Sequence, residues 1–490
     1  MLEQIDYDFK TQPFNHQRDA LEESWYKTYH AYFMEMGTGK SKVAIDNIGV
    51  LYIEGDLNAA LIVAPKGVYD NWVQGEIPSH LPDNIKRKVM RWTPATSKRY
   101  SEELDTFIDD PFDGLKLFVM NVEAFSSVKG RQAGEWLGRA FGQRGMIAID
   151  ESTTIKNHKA KRTKALTKIS QSFKYKRLLT GSPITKSPLD IFSQAEFLQE
   201  GLLRYDSFYA FQARYAVLQR RTMGAQSFNQ VMGFRNLEEL TRMIDEFSYR
   251  VLKKDCLDLP EKSYTVRYVS TTKEQLEMYE SLRRHAMVLF EDGEMTSAPA
   301  VITQLLRLQQ ILSGHLKTDE GEMVTFPSKR MDALEEILEE HDGKAIIWSR
   351  FRYDIQQIVE MINKKFGPGV AASYYGDTPD DERVRIVQDF QSSSNLRFFV
   401  GNPATAGYGL TLTEANLVVY YANDFNLETR MQSEDRAHRI GQHNPVTYVD
   451  LITEGSIDEK IVKALRAKID IGAKVLGEEA RQWLTMTPKK

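Results

Sequence analysis

Apolar residues in this chain fall into two patterns that alternate along its length. Some form short, nearly unbroken runs, such as Ala31-Tyr32-Phe33-Met34, Ala59 to Ala64, Leu115 to Met120 and Met146-Ile147-Ala148-Ile149. Successive side chains of a strand point to opposite faces, so such a run predicts a strand covered on both sides, as in a parallel sheet between helices. Ala345-Ile346-Ile347-Trp348, Arg397 to Val400 and Leu417 to Tyr421 repeat the pattern in the second half. The alternation predicts an α/β fold with two parallel-sheet lobes, over residues 1–199 and 326–455. Between about 200 and 325 the runs give way to Leu, Met, Phe and Tyr at helical spacing. This predicts helical insertions over 200–262 and 263–325, and a last helical stretch begins at Ser456 in the segment 456–490.

The chemistry sits where the runs end. Met36-Gly37-Thr38-Gly39-Lys40-Ser41 lies between the first run and a helical start at Val43-Ala44-Ile45. Two glycines let successive backbone N–H groups turn toward a polyphosphate, Lys40 supplies a mobile cation, and the Ser41 hydroxyl suits magnesium. A phosphate loop ordinarily has a further glycine where this chain has Met34, and six residues are also compatible with a plain glycine turn capping a helix. Upstream, Gln17 carries an amide that both donates and accepts, as reading an adenine edge requires. Asp150-Glu151 follows the run Met146 to Ile149, at the strand end where ligands collect in open α/β sheets. One carboxylate can hold magnesium while the next orients or deprotonates an attacking water. Thr180-Gly181-Ser182-Pro183 forms a turn that could bond the acidic pair. The loop-to-helix start around Asn71 and Trp72 could offer N–H groups to a nucleic-acid phosphate, with Trp72 better suited to packing than to base stacking.

Composition narrows the setting. No apolar run approaches the ~20 residues of a membrane span, and MLEQIDYDFK has no apolar signal core. Cys256 is the only cysteine, which excludes a disulfide framework and suits a reducing cytoplasm. His315 has no second histidine or acid at ligand spacing and reads as structural. The net charge of -4 excludes a chain coated for nucleic acid, yet Lys156 to Arg177 holds nine Lys or Arg residues and no acid. That run is either a solvated helix face or a local nucleic-acid contact.

In order and spacing, Met36 to Ser41, Leu61 to Trp72, Asp150-Glu151 with Ile155-Lys156-Asn157, and Leu179 to Ile184 resemble the first-lobe motifs of Swi/Snf-type superfamily-two helicase-like ATPases. Tyr249 to Asp255 is similar to that family's link between lobes. Gln432-Ser433-Glu434-Asp435-Arg436-Ala437-His438-Arg439-Ile440-Gly441-Gln442 is similar to its most specific second-lobe signature. On a helix Arg436 and Arg439 share a face, and the resemblance implies that they act as fingers on the γ-phosphoryl group. It further implies RecA-like lobes, two helical protrusions, and a brace helix from Ser456 to Leu476 that packs the second lobe on the first. ATP contacts are expected from Gln17, Gly37, Thr38, Gly39, Lys40, Ser41, Gly409 and Gln432, with Mg2+ held by Ser41 and Asp150. DNA contacts are expected from Lys66, Trp72, Asn121, Lys156, Asn157, Lys159, Arg350 and Arg383, with Arg162 as further basic ground.

The chain departs from the family pattern at Ser152-Thr153, where Ala-His or Gly-His is usual, and at Ala404 and Ala406. These departures bear on the coupling of nucleotide to movement. The resulting expectation is a DNA-dependent ATPase, a compact monomeric motor of phage or bacterial type that tracks along double-stranded DNA. A strand-separating DNA or RNA helicase, a motor subunit of a restriction or defence system and a non-catalytic DNA-binding scaffold remain alternatives.

Overall fold

The structure, a computed structural model, describes residues 5–465 except 67, 94–97, 186, 224–225, 258, 292–297, 319–320, 394 and 407–409. It divides after residue 258 into two compact units, each built on its own parallel sheet.

The first sheet has seven strands: β1 (Tyr29–Met34), β2 (Ala59–Ala64), β3 (Arg87–Arg91), β4 (Leu115–Asn121), β5 (Gly145–Asp150), β6 (Tyr175–Leu179) and, after a hairpin of β7 (Ala216–Met223) and β8 (Gln226–Phe234), β9 (Ser248–Val251). Their order is β3-β4-β2-β5-β6-β1-β9, all parallel. The unbroken run of β2 has the expected cause. Leu61 and Val63 enter one apolar core while Ile62 and Ala64 enter another on the opposite face. Because every strand is parallel, the segments after β1, β2, β4, β5 and β6 leave the same edge of the sheet. Register then brings them together: Asp150 stands beside Leu179, and Leu179 beside Tyr32.

The second unit has six parallel strands: β10 (Lys262–Val269), then, past the small hairpin of β11 (His315–Lys317) and β12 (Met323–Thr325), β13 (Lys344–Ser349), β14 (Ala371–Tyr374), β15 (Phe398–Gly401), β16 (Ala415–Ala422) and β17 (Val446–Thr453). The order is β10-β17-β16-β13-β15-β14. Ala345 and Ile347 of β13 face one core, Ile346 and Trp348 the other.

One expectation needs correction. Residues 200–325 are not only helical, since β7 to β12 lie there and β9 and β10 join the two main sheets. Both are edge strands, paired on one side only; β10 has Ser263, Thr265 and Arg267 at exposed positions, and in β9 Ser248 and Arg250 interrupt the apolar run. Of the expected brace helix, the part to residue 465 is described, with Ile457, Ile461 and Leu465 packed among Tyr279, Leu308 and Ile311; the remainder, to Leu476, lies outside the described residues. Among the described residues no helix is long and apolar enough to cross a membrane.

Candidate active site

Helix Lys40–Ile53 starts directly after β1 through Gly37 and Gly39, whose φ angles of 78° and 89° are left-handed. Glycine is needed at 39 for a second reason. A Cβ there would lie 2.1 Å from Gln17 Nε2. The loop is held from outside by two side chains of helix Asn15–Ser24. Gln17 Nε2 donates to the Thr38 carbonyl at 2.9 Å, and His16 Nε2 stands 2.8 Å from the same oxygen. The Gln17 Oε1 accepts from Phe14 N–H, so its amide supports both the helix start and the loop.

Lys40 is buried, at 8% exposure. Burial pushes the pKa of its ammonium down, and the negative charges of Glu151, Asp150 and Glu35 oppose that shift. The acidic pair is therefore close enough to Lys40 to act on it electrically, although 110 positions separate Lys40 from Asp150. Asp150 is buried too, and burial raises its pKa against the bond from Trp72 and the charge of Lys40. Its Oδ2 accepts from Trp72 Nε1 at 2.9 Å and its Oδ1 from the Glu151 N–H at 3.0 Å. Glu151 has φ 49° and ψ 61°, a left-handed conformation that costs a non-glycine residue roughly 1–2 kcal/mol. Such strain collects where a side chain must be aimed.

Trp72 packs inside the first unit. It is 1% exposed and its indole N–H serves Asp150, so it presents no face to a base. Two further residues were not read from the sequence. Arg250 of β9 donates to the Phe33 carbonyl at 2.8 Å and to the Gly181 carbonyl at 2.9 Å, joining the end of β1 to the Thr-Gly-Ser-Pro turn. Gln194 bonds both that turn and Ser152. Neither could be found by spacing, because each partner is distant in sequence.

The nine-cation run also divides. Arg177 is fully buried, its guanidinium on Asn47 Oδ1 and the Ser24 and Lys27 carbonyls, and Lys174 pairs with Asp56. Lys159 and Asn157 are exposed beside the carboxyl end of the sheet, and Lys159 lies over the ring of Tyr209. Lys156 donates to Thr185 Oγ1 at 2.6 Å. Lys66 is exposed after β2, and Asn121 donates to Glu123.

In the second unit, helix Leu427–Glu434 ends before Arg436, so the two arginines do not share a helix. A turn brings them together instead: Arg436 Nη1 and Arg439 Nη1 donate to the same Leu410 carbonyl, at 3.0 and 3.1 Å. Gln432 is buried. Arg350 pairs with Asp424 at 3.3 Å, and Arg383 donates to the Tyr375 and Gly376 carbonyls. Gly409 lies outside the described residues. His315 does have an acid beside it, with Asp354 Oδ1 3.2 Å from its Nδ1, which distance in sequence concealed.

The donors around the loop fit a nucleoside triphosphate with a hard cation. They comprise two glycine-opened turns, a buried ammonium, a hydroxyl and carboxylates, with oxygen-only cation ligands. Among the described residues no cluster of three or more His, Cys, Asp or Glu could hold a metal by itself.

Comparison with known proteins agrees with the geometry. A family profile described as SNF2-related domain matches residues 32–315, and one described as helicase conserved C-terminal domain matches 329–441. The chain is 29% identical over 333 residues to the SWI/SNF-related matrix-associated actin-dependent regulator of chromatin subfamily A-like protein 1 homolog of Caenorhabditis elegans, covering 66% of this chain and 45% of that one. It is 25% identical over 466 residues to the ISWI chromatin-remodeling complex ATPase CHR11 of Arabidopsis thaliana, covering 90% and 40%. The chain thus spans less than half the length of these relatives. A solved SWI2/SNF2 ATPase core of Sulfolobus solfataricus in complex with dsDNA covers 96% of this chain and 94% of that one, at 24% identity and a TM-score of 0.43.

Proposed function

Because the chain belongs to the SNF2-related domain family, we propose that it is an ATP-driven motor on double-stranded DNA, with ATP as substrate and magnesium as cofactor. The observation that carries this reading is the meeting of Lys40, on a glycine-opened loop, with Asp150 and Glu151. The loop N–H groups and Lys40 bind the phosphates, and Ser41 and Asp150 hold the cation. When bound, magnesium neutralises phosphate charge as it builds up on the leaving oxygens. Trp72 and the Glu151 N–H keep the Asp150 carboxylate oriented, while Glu151 receives or directs the proton of the attacking water. Gln17 recognises the base edge in this proposal, and Gln432 and Gly409 join the nucleotide contacts. Arg436 and Arg439 offset charge on the γ-phosphoryl group. The printed name of the Arabidopsis relative includes the word ATPase, which supports the hydrolytic part.

DNA is proposed to follow the exposed ground of Lys66, Asn157 and Lys159, with Asn121, Lys156, Arg162, Arg350 and Arg383 as further contacts. A monomeric motor in the cytoplasm is the corresponding setting. The test is ATP turnover with duplex DNA, single strands and RNA in parallel. Duplex DNA is expected to stimulate most, and Lys40→Ala or Glu151→Gln to lower turnover by about 10² or more. Stimulation by RNA alone would replace the DNA reading, and unchanged turnover in both variants would remove the catalytic one.

A further inference from the structure

Ser152 stands immediately after the acidic pair and is fully buried. Its Oγ donates to Gln194 Oε1 at 2.7 Å, and Gln194, also fully buried, donates from Nε2 to the Pro183 carbonyl at 2.8 Å and to the Asp190 carbonyl at 2.9 Å. One amide thus joins the acidic strand end to the Thr180–Pro183 turn. The Asp190 side chain continues the connection. Its Oδ2 accepts from the Thr185 N–H at 3.0 Å and lies 3.3 Å from Thr185 Oγ1, which in turn accepts from Lys156 Nζ at 2.6 Å. Ser193 Oγ donates to the Lys156 carbonyl at 3.3 Å, so the helix Ile191–Leu198 holds both ends. An alanine or glycine at 152 would leave Gln194 Oε1 without this donor, and it is at this position that the chain departs from the family pattern.

We propose that Ser152 and Gln194 form a positioning bridge that couples occupancy of the Lys156 segment by DNA to the placement of Glu151. A contact that shifts Lys156 moves Thr185 and Asp190, and Gln194 has little freedom with which to absorb the shift, because both amide hydrogens are engaged and its oxygen already accepts from Ser152. Ser152 adjoins Glu151, whose left-handed backbone makes its side-chain direction sensitive to small rotations. Both bridging residues are fully buried. The inference rests on the proposed DNA-stimulated turnover.

The experiment compares Gln194→Met, Ser152→Ala and the double variant in the full chain. Replacing both partners by apolar groups removes the Ser152–Gln194 bond without stranding either of its side chains, but the Pro183 and Asp190 carbonyls lose the amide donor, so the fold of each variant is checked by thermal melt and Ser152→Ala, which keeps those two bonds, carries the test where the double variant does not fold. The expected signature is unchanged turnover without DNA, unchanged duplex binding by anisotropy, and an unchanged KM for ATP. The stimulated kcat is expected to fall about tenfold, with the single variants non-additive. A double variant that is folded, binds duplex DNA and is stimulated as strongly as the parent would overturn the bridge. If the parent itself hydrolyses ATP without any response to duplex DNA, the functional reading fails and takes the bridge with it.

Discussion

At the residue scale, burial decides what each ionisable group can do. Lys40 and Asp150 are costly to bury and are placed beside opposite charge, as the proposed binding and hydrolytic site requires. His30 of β1 shows the same physics with no functional partner in the site. It is fully buried, and burial, helped by the nearby charges of Arg177 and Lys27, pushes its pKa down to about 2. The unfolded chain takes up a proton near pH 6.5 that the folded chain refuses, so stability is present above that pH and is lost as pH falls through the window below it. Within the window the loss is about 1.4 kcal/mol per pH unit for this one group. His30→Leu is therefore expected to flatten the fall of the unfolding midpoint between pH 7 and 5, measured by thermal melts. A slope identical to that of the parent would show that His30 is protonated in the fold.

At the scale of elements, buried charge serves as a clamp. Arg430, on the helix before the second-lobe signature, meets Asp450 of β17 and Glu434 and Asn423, over the ring of Tyr420 at 3.4 Å. Tyr264 of β10 donates to Glu434 at 2.8 Å, so helix, β10, β16 and β17 share one polar cluster. Removing one partner strands the rest, which typically costs about 3–5 kcal/mol. Asp450→Ala is expected to destabilise the second unit by that amount in a denaturant titration, while a cost below about 1 kcal/mol would mean that water replaces the carboxylate. The same scale explains what was legible. The strands expected from apolar runs, such as β2, β4, β5, β13 and β16, lie inside the sheets. Of the main-sheet strands that went unread, β3, β9, β10 and β14 are the four sheet edges, while β6 and β17 lie inside, their apolar runs interrupted by Lys176-Arg177 and by Thr447 and Asp450. Arg87–Arg91 and Lys262–Val269 have an exposed side, and the residues that solvate it hide the strand from an apolar-run criterion.

For the whole molecule, charge distribution matters more than total charge. A chain of net charge -4 that binds a polyanion must do so through a local stripe, and binding then releases only the counterions that this stripe displaces. About four phosphate contacts predict a slope near -4 in log affinity against log salt, and Lys159→Ala is expected to reduce its magnitude by about one. A slope near zero, measured by anisotropy with duplex DNA over a salt series, would contradict a phosphate-tracking motor. The fate of the nine-cation run makes the same point: Arg177 went to the core and Lys159 to the surface, although both belong to one basic stretch.

By itself the sequence determined the two-sheet α/β architecture, most of the interior strands, the glycine-opened loop before Lys40 and the acidic pair. Each of these is a local pattern, set by which faces must be apolar and which short spacing presents N–H groups, an ammonium and carboxylates. Tertiary structure alone decided that Trp72 orients Asp150, that Arg250 and Gln194 fasten the Thr180–Pro183 turn, and that a turn after the helix brings Arg436 and Arg439 to one carbonyl. These depend on hydrogen bonds between positions far apart in the chain. Polar side chains with several possible partners acquire a role only when folding selects one.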